Sequence, residues 1–279
     1  MDVVNAAARR RLCGARAEGI LDDMVDIHCH LLPGVDDGPE AMDEAVEMAE
    51  MALADGITHI VATPHANDTY PFDCERNLGL CRELAARLEG RLELATGCDF
   101  HMSYENVEAA TAEPGRFALN QKNYLLLEFA DFALPPFLDQ ALVRLQEAGL
   151  KLIVTHPERN PLVRAAPERM RAWIETGCYG QITGQSLTGR FGPAAEKAAI
   201  EYLDRGWAHF VASDAHDIRR RPPRLRKAYE LVAARRGPQV AQALFQDNPM
   251  AAWKGQPLPW TPEPEEPAPA PSRRRFFFF

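Results

Sequence analysis

The chain has 279 residues, of which 46% are hydrophobic and 25% charged, with a formal net charge of −9. That length suits one large domain with tails, since α/β barrels reach about 250 residues as single units. The negative balance leaves no basic footprint for nucleic acid, and the sequence holds no apolar run of about 18 residues to span a membrane.

Residues 1–23 contain Arg9, Arg10 and Arg11 without an apolar run behind them, so they fail as a secretory signal and the chain reads as soluble and cytoplasmic. The six cysteines, at 13, 29, 74, 81, 98 and 178, form no C-x-x-C pair and suit reduced thiols. Cys81 and Arg87 have the spacing of a cysteine-phosphatase loop. The run between them lacks glycine and favours helix, which would tie up the amides that such a loop aims at phosphate.

In chain order, residues 25–27 predict a short buried strand. His28 and His30 then share a face, Cys29 takes the other, and the turn through Pro33, Gly34, Asp36, Asp37 and Gly38 folds carboxylates back over the strand end. Residues 39–55 predict a helix with Pro39 in its first turn, stopped by Gly56. A strand over 57–63 ends in Pro64-His65. A helix over about 74–89 follows, then a strand over 91–96 closed by Asp99 and His101. Residues 102–121 show no sustained period.

Strand 124–129, helix 136–148 and strand 150–155 then deliver His156, Glu158 and Arg159. Helix 167–176, strand 178–183, helix 193–205 and strand 209–212 follow, the last ending in Asp214 and His216. Helices near 225–234 and 238–245 end the pattern. Seven strands alternating with helices predict a parallel sheet, most simply closed as a barrel whose strand C-terminal ends carry the chemistry.

His28, His30, His65, Asp99, His156, Asp214 and His216 all fall at or just after predicted strand ends. Imidazole and carboxylate without thiolate suit manganese, iron or zinc, and so many donors call for two or three ions. Clustered ions of this kind clamp phosphoryl groups and turn water into hydroxide at neutral pH, which points to phosphoester hydrolysis; amide or ester hydrolysis stays open.

The runs Asp26-Ile27-His28-Cys29-His30 through Gly38, Ala62-Thr63-Pro64-His65, His156-Pro157-Glu158-Arg159, Gln181-Ile182-Thr183 through Gly189, and Ser213-Asp214-Ala215-His216 with Arg221-Pro222-Pro223 resemble the polymerase and histidinol phosphatase (PHP) superfamily. More narrowly they resemble its bacterial manganese-dependent protein-tyrosine phosphatases of capsular and exopolysaccharide synthesis. The likeness runs in order over about 24–253.

The resemblance implies an α/β fold, a distorted seven-stranded (β/α) barrel with its metal site at the strand C-terminal ends. It further implies metal ligation by His28, His30, Asp37, His65, Asp99, His156, Asp214 and His216, and phosphate binding by Arg159 and Arg221. The cofactor would be manganese, with iron or zinc as alternatives, and a metal-bound hydroxide would attack phosphotyrosine on a protein, a bacterial tyrosine autokinase. The family usually has glutamate, bridging two metals, where this chain has Asp99. Two other readings stay open: a small-molecule phosphatase, as for histidinol phosphate, and a non-catalytic regulator with an altered metal core.

His59, His101 and His209 read as structural, and Glu128, at its strand end, is not assigned. The expected layout is an N-terminal extension over 1–23, a phosphatase domain over 24–254 and a Pro- and Glu-rich disordered tail over 255–279. The closing Arg273 to Arg275 and Phe276 to Phe279 could touch an anionic membrane, but four aromatics are too few to anchor stably.

Overall fold

A computed structural model describes residues 23–262; the expected extension, save Asp23, and the tail from 263 lie outside the described residues. Among the described residues nine strands form two parallel sheets. In the first, β1 (Met24–Cys29) pairs with β2 (Ile57–Ala62), and β2 with β4 (Glu93–Thr96). The second runs β3 (His65–Ala66), β5 (Asp99–His101), β6 (Tyr124–Glu128), β7 (Lys151–Thr155), β8 (Tyr179–Thr183) and β9 (Phe210–Ala212).

Both strand faces are buried, as helices connecting parallel strands require. Val25, Ile27, Val61, Leu126, Ile153 and Phe210 share one inner core, whereas the alternating Leu125, Leu127, Leu152 and Val154 belong to a second core that includes helix residues. Trp253, from helix Asn248–Lys254, packs on the inner core and meets the His59 ring edge-on at 5.2 Å.

The described strands pair as these two sheets and not as one continuous closed ladder. Pro64 has no N–H to donate, so the ladder breaks between β2 and β3. Gly97 and Cys98 interrupt β4 and β5; a side chain at Gly97 would meet Leu119 at 2.8 Å. At the other edge β1 meets the segment just after β9 at an isolated bridge, Cys29 with Ala215, flanked by His30 N donating to Ala215 O at 2.8 Å and Asp214 N to His28 O at 2.8 Å.

The expected 39–55 helix is Met42–Asp55, so Pro39 precedes it instead of entering its first turn; the Pro39 carbonyl accepts from Gly34 N at 2.9 Å. Ala45, Met48, Ala49 and Ala52 bury one helical stripe, and Gly56, at φ 94°, ends it. The aperiodic 102–121 stretch contains helices Tyr104–Ala112 and Pro114–Phe117 and a 3₁₀ turn. Packing also continues past 254: the Tyr124 hydroxyl donates to Gln256 O at 2.6 Å, and Trp260 lies on the core.

Candidate metal centre

Short loops after the strands bring the expected residues to one end of the fold. Behind β1, Gly38 passes so close to the His30 carbonyl that a Cβ would sit 2.5 Å from it, and this close turn lays Asp36 and Asp37 over the strand end. His156 and Asp214, directly after Thr155 and Ser213, have φ of 32° and 50°. Non-glycine residues enter that left-handed region at a cost, which tends to be tolerated at functional sites.

Three imidazoles are oriented through Nδ1. His28 Nδ1 meets Gln181 Oε1 at 3.0 Å, His30 Nδ1 meets Asp36 Oδ2 at 2.6 Å, and His216 Nδ1 meets the Asp214 carbonyl at 3.1 Å. Each partner is an acceptor, so each Nδ1 carries a proton and Nε2 is the nitrogen turned to the site. His28 Nε2 then faces Asp99 Oδ2 and Asp214 Oδ1, both at 3.4 Å, and His30 Nε2 lies 3.3 Å from His28 Nε2. His216 Nε2 and His65 Nε2 face Asp37 Oδ1 at 3.3 and 3.4 Å. His65 Nδ1 faces Asp99 Oδ2 at 3.5 Å and Glu128 Oε2 at 3.4 Å.

Three overlapping groups each place their donor atoms within 4.8 Å of one another: His30, Asp37, His65 and His216; His28, His30 and Asp99; and His65, Asp99 and Glu128. His156 and Asp214 fall outside these groups but stay close. His156 Nε2 is 3.9 Å from both Asp99 Oδ2 and Glu128 Oε1, and Asp214 Oδ1 lies between His28 and His30. Arg159 and Arg221 both donate to the other oxygen of Asp214, Oδ2, Arg221 at 2.5 Å.

The donor set fits divalent cations. His65 Nδ1, Asp99 Oδ2 and His216 Nε2 are buried without a hydrogen-bond partner, although such atoms are normally satisfied. The Nε2 atoms of His28 and His30, 3.3 Å apart, likewise call for a positive charge between them, a proton or a metal ion. The electrostatics agree. Burial disfavours the His28 cation, yet the Asp99 and Asp214 carboxylates hold its pKa up at about 9; Asp37 and Glu128 similarly raise His65 to about 11. His216 moves the other way, to about 4, through burial and the neighbouring His30. Asp99 and Asp214 remain ionised against burial, Asp99 through His28 and His156, and Asp214 through Arg159, His28 and Arg221.

Sequence reasoning missed four contributors. Glu128 ends β6 beside His101 in register, the same strand-end signal that marked Asp99, and it joins a candidate ligand group. Asp36 precedes the chosen Asp37 and orients His30; nothing in a consecutive acidic pair tells which one turns inward. Gln181, within a quoted motif, orients His28. Phe191 underlies both arginines, and no local pattern points to it. His59 and His209 lie outside the ligand groups, whereas His101 Nδ1 approaches Glu128 at 4.0 Å.

Over residues 24–254 the chain matches the family described as capsular polysaccharide synthesis, CpsB/CapC. It is 35% identical over 210 residues to the putative tyrosine-protein phosphatase CapC of Staphylococcus aureus, covering 74% of this chain and 82% of that one. To the tyrosine-protein phosphatase YwqE of Bacillus subtilis (strain 168) it is 35% identical over 205 residues, 71% of this chain and 79% of that one. A chain from the crystal structures of YwqE from Bacillus subtilis and CpsB from Streptococcus pneumoniae, described as unique metal-dependent tyrosine phosphatases, superposes with a TM-score of 0.81 at 31% identity, covering 88% of this chain and 100% of that one.

Proposed function

The chain belongs to the CpsB/CapC family of capsular polysaccharide synthesis, and on that footing we propose that it is a metal-dependent phosphatase acting on phosphotyrosine in proteins. The observation that carries this reading is the convergence of unpartnered His65 Nδ1, Asp99 Oδ2 and His216 Nε2 beside an arginine pair gathered on Asp214. Its native metal is manganese, since imidazole and carboxylate donors without thiolate suit that ion; iron and zinc are the alternatives.

His28, His30, Asp37, His65, Asp99, His156, Asp214 and His216 hold two or three ions, and Glu128 joins them. Asp99 is in two of the three donor groups, which supports a shared role despite its short side chain. When bound, such ions offset phosphoryl charge and make water acidic enough to supply a nucleophile near neutral pH. Arg159 and Arg221 leave Asp214 Oδ2 for the equatorial phosphoryl oxygens, where paired N–H forks match the geometry and gain strength as charge redistributes. A phenol leaving group, with a solution pKa of about 10, leaves with little protonation help, so the residues need supply no dedicated acid.

We read the two sheets as one distorted barrel of seven staves: β2 with β3 and β4 with β5 count as single staves, and the bonds between the end of β1 and the segment just after β9 bring the edges together. The substrate is a bacterial tyrosine autokinase acting in exopolysaccharide synthesis. The protein works in the cytoplasm, which the five free cysteines among the described residues support. No helix among the described residues is long and apolar enough to cross a membrane.

The test is hydrolysis of a phosphotyrosine peptide and of histidinol phosphate by metal-stripped protein, with and without added Mn²⁺. We expect Mn²⁺-dependent turnover favouring the peptide. Preference for histidinol phosphate would make it a small-molecule phosphatase, and metal binding without turnover on either would make it a regulator.

A further inference from the structure

Between helix Gly184–Leu187 and helix Pro193–Asp204 the chain makes a tight turn through Thr188 to Gly192. Gly189 and Gly192 adopt φ of 79° and 86°, and Gly192 N closes the turn on Gly189 O at 3.1 Å. The turn is bolted to the loop that carries Arg221: Arg190 donates from Nε to Arg220 O at 2.7 Å and from Nη2 to Arg219 O at 2.6 Å. Between these anchors the Phe191 ring lies under the guanidinium of Arg159, whose Cζ is 4.5 Å from the ring centroid, and near that of Arg221, at 5.9 Å.

We propose that Phe191 is the positioning residue of the arginine pair: one aromatic face, fixed to the Arg221 loop through Arg190, holds both guanidiniums ready for phosphate. This rests on the reading of Arg159 and Arg221 as phosphate ligands. The physical case lies in which atoms each contact uses. A guanidinium has five N–H donors in its plane and none on its face. Asp214 accepts N–H groups of both arginines and therefore competes with phosphate for donors, whereas the ring attracts the guanidinium charge through its π face and brings no acceptor oxygen. As phosphate draws the N–H forks off Asp214 Oδ2, the ring keeps its hold and limits the freedom the long side chains would otherwise regain. The Arg159 and Arg221 side chains are 22% and 25% exposed, so without a backing surface they would sample many rotamers.

The experiment compares Phe191→Ala, Phe191→Leu and Phe191→Tyr with wild type, all metal-loaded. Inorganic phosphate affinity is measured by calorimetry, kcat and KM on p-nitrophenyl phosphate, and metal content by mass spectrometry. Loss of one or two cation–π contacts predicts roughly five- to thirtyfold weaker phosphate binding in Ala and Leu, with a matching fall in kcat/KM and unchanged metal. Tyr, which keeps the π face and can point its hydroxyl to solvent, stays within about threefold. If Ala fails to fold, Leu against Tyr still decides. Leu binding phosphate as well as wild type would reduce Phe191 to packing and overturn the proposal, as would wild-type affinity in Ala. Since phosphate binding is read directly, failure of wild type to cleave phosphotyrosine would defeat the proposed function without touching this result.

Discussion

Arg221 Nη2 lies 2.5 Å from Asp214 Oδ2, while the other oxygen of the same carboxylate, Oδ1, faces His28 and His30 Nε2 at 3.4 and 3.5 Å. Asp214 thus separates a side that can hold metal from a side that can hold phosphate, and the left-handed backbone at this residue, φ 50°, turns the carboxylate to do both.

It follows that each arginine can be removed without removing a metal donor. Arg159→Ala or Arg221→Ala should lower kcat/KM by roughly ten- to a thousandfold, the range for losing one transition-state donor, with metal content unchanged. Arg221→Lys should recover little, because an ammonium cannot reproduce the planar fork. Steady-state kinetics beside metal analysis check this, and wild-type kinetics from either alanine variant would take that residue out of the site.

Asp99 is the second test. Its Oδ2 approaches His28, His65 and His156 at 3.4, 3.5 and 3.9 Å and accepts no hydrogen bond. Asp99→Asn keeps the volume but removes the charge that offsets neighbouring cations, so at least one ion should be lost and turnover should collapse. Asp99→Glu should retain metal with reduced activity, since the surrounding shell is built around the shorter side chain. Unchanged metal stoichiometry and rate in Asp99→Asn would defeat the assignment.

Activity should survive thiol alkylation and fail on chelation. Cys29 and Cys98 are fully buried, their thiols pushed well up by burial, and burial also raises Cys81 and Cys178 to about 11 and 12. Such thiols are poor nucleophiles and resist iodoacetamide. We expect native, metal-loaded protein to keep its turnover under iodoacetamide and to lose it in a strong chelator, with recovery on adding Mn²⁺. Full inactivation by iodoacetamide would point to a cysteine instead.

His209 gives a pH prediction away from the metal centre. Burial holds its pKa down at about 4, against a small opposing effect from the Trp207 backbone, so the folded ring is neutral and Nδ1 accepts from Gly180 N at 3.2 Å. Below the ordinary value of about 6.5 the unfolded chain takes up a proton that the folded chain refuses. The stabilisation is therefore complete above about pH 6.5 and drains away as pH falls toward 4, by about 1.4 kcal/mol per unit within that window. His209→Asn keeps an acceptor but cannot titrate, so its stability deficit should narrow between pH 6.5 and 4.5 in denaturant melts. A deficit constant with pH would show that the ring does not titrate as stated.

How much of this was legible beforehand depended on the range of the physics involved. The strand ends were readable because β-branched and leucine-rich runs such as Leu152 to Val154 must be buried on both faces, and a polar cluster directly after such a run has nowhere to go but the strand end. Hence His156, Asp214 and His216 could be placed without coordinates. The segment 102–121 was not readable, because its helices are short and broken by Pro114, and the buried positions Val107, Ala110 and Phe117 follow no sustained period.

The sequence by itself determined the alternation of strand and helix, the donor chemistry of imidazole and carboxylate without thiolate, and the strand ends as the place where those donors collect; each follows from local spacing and residue type. Tertiary structure alone decided which acid of the Asp36–Asp37 pair orients His30 and which faces His65 and His216. It likewise decided that Glu128 reaches His65, that both arginines close on one oxygen of Asp214, and that Phe191 lies beneath them. Most of those relations join residues tens to more than a hundred positions apart, and they depend on how parallel strands shift in register and where Pro64 and Gly97 break them, which no local pattern encodes.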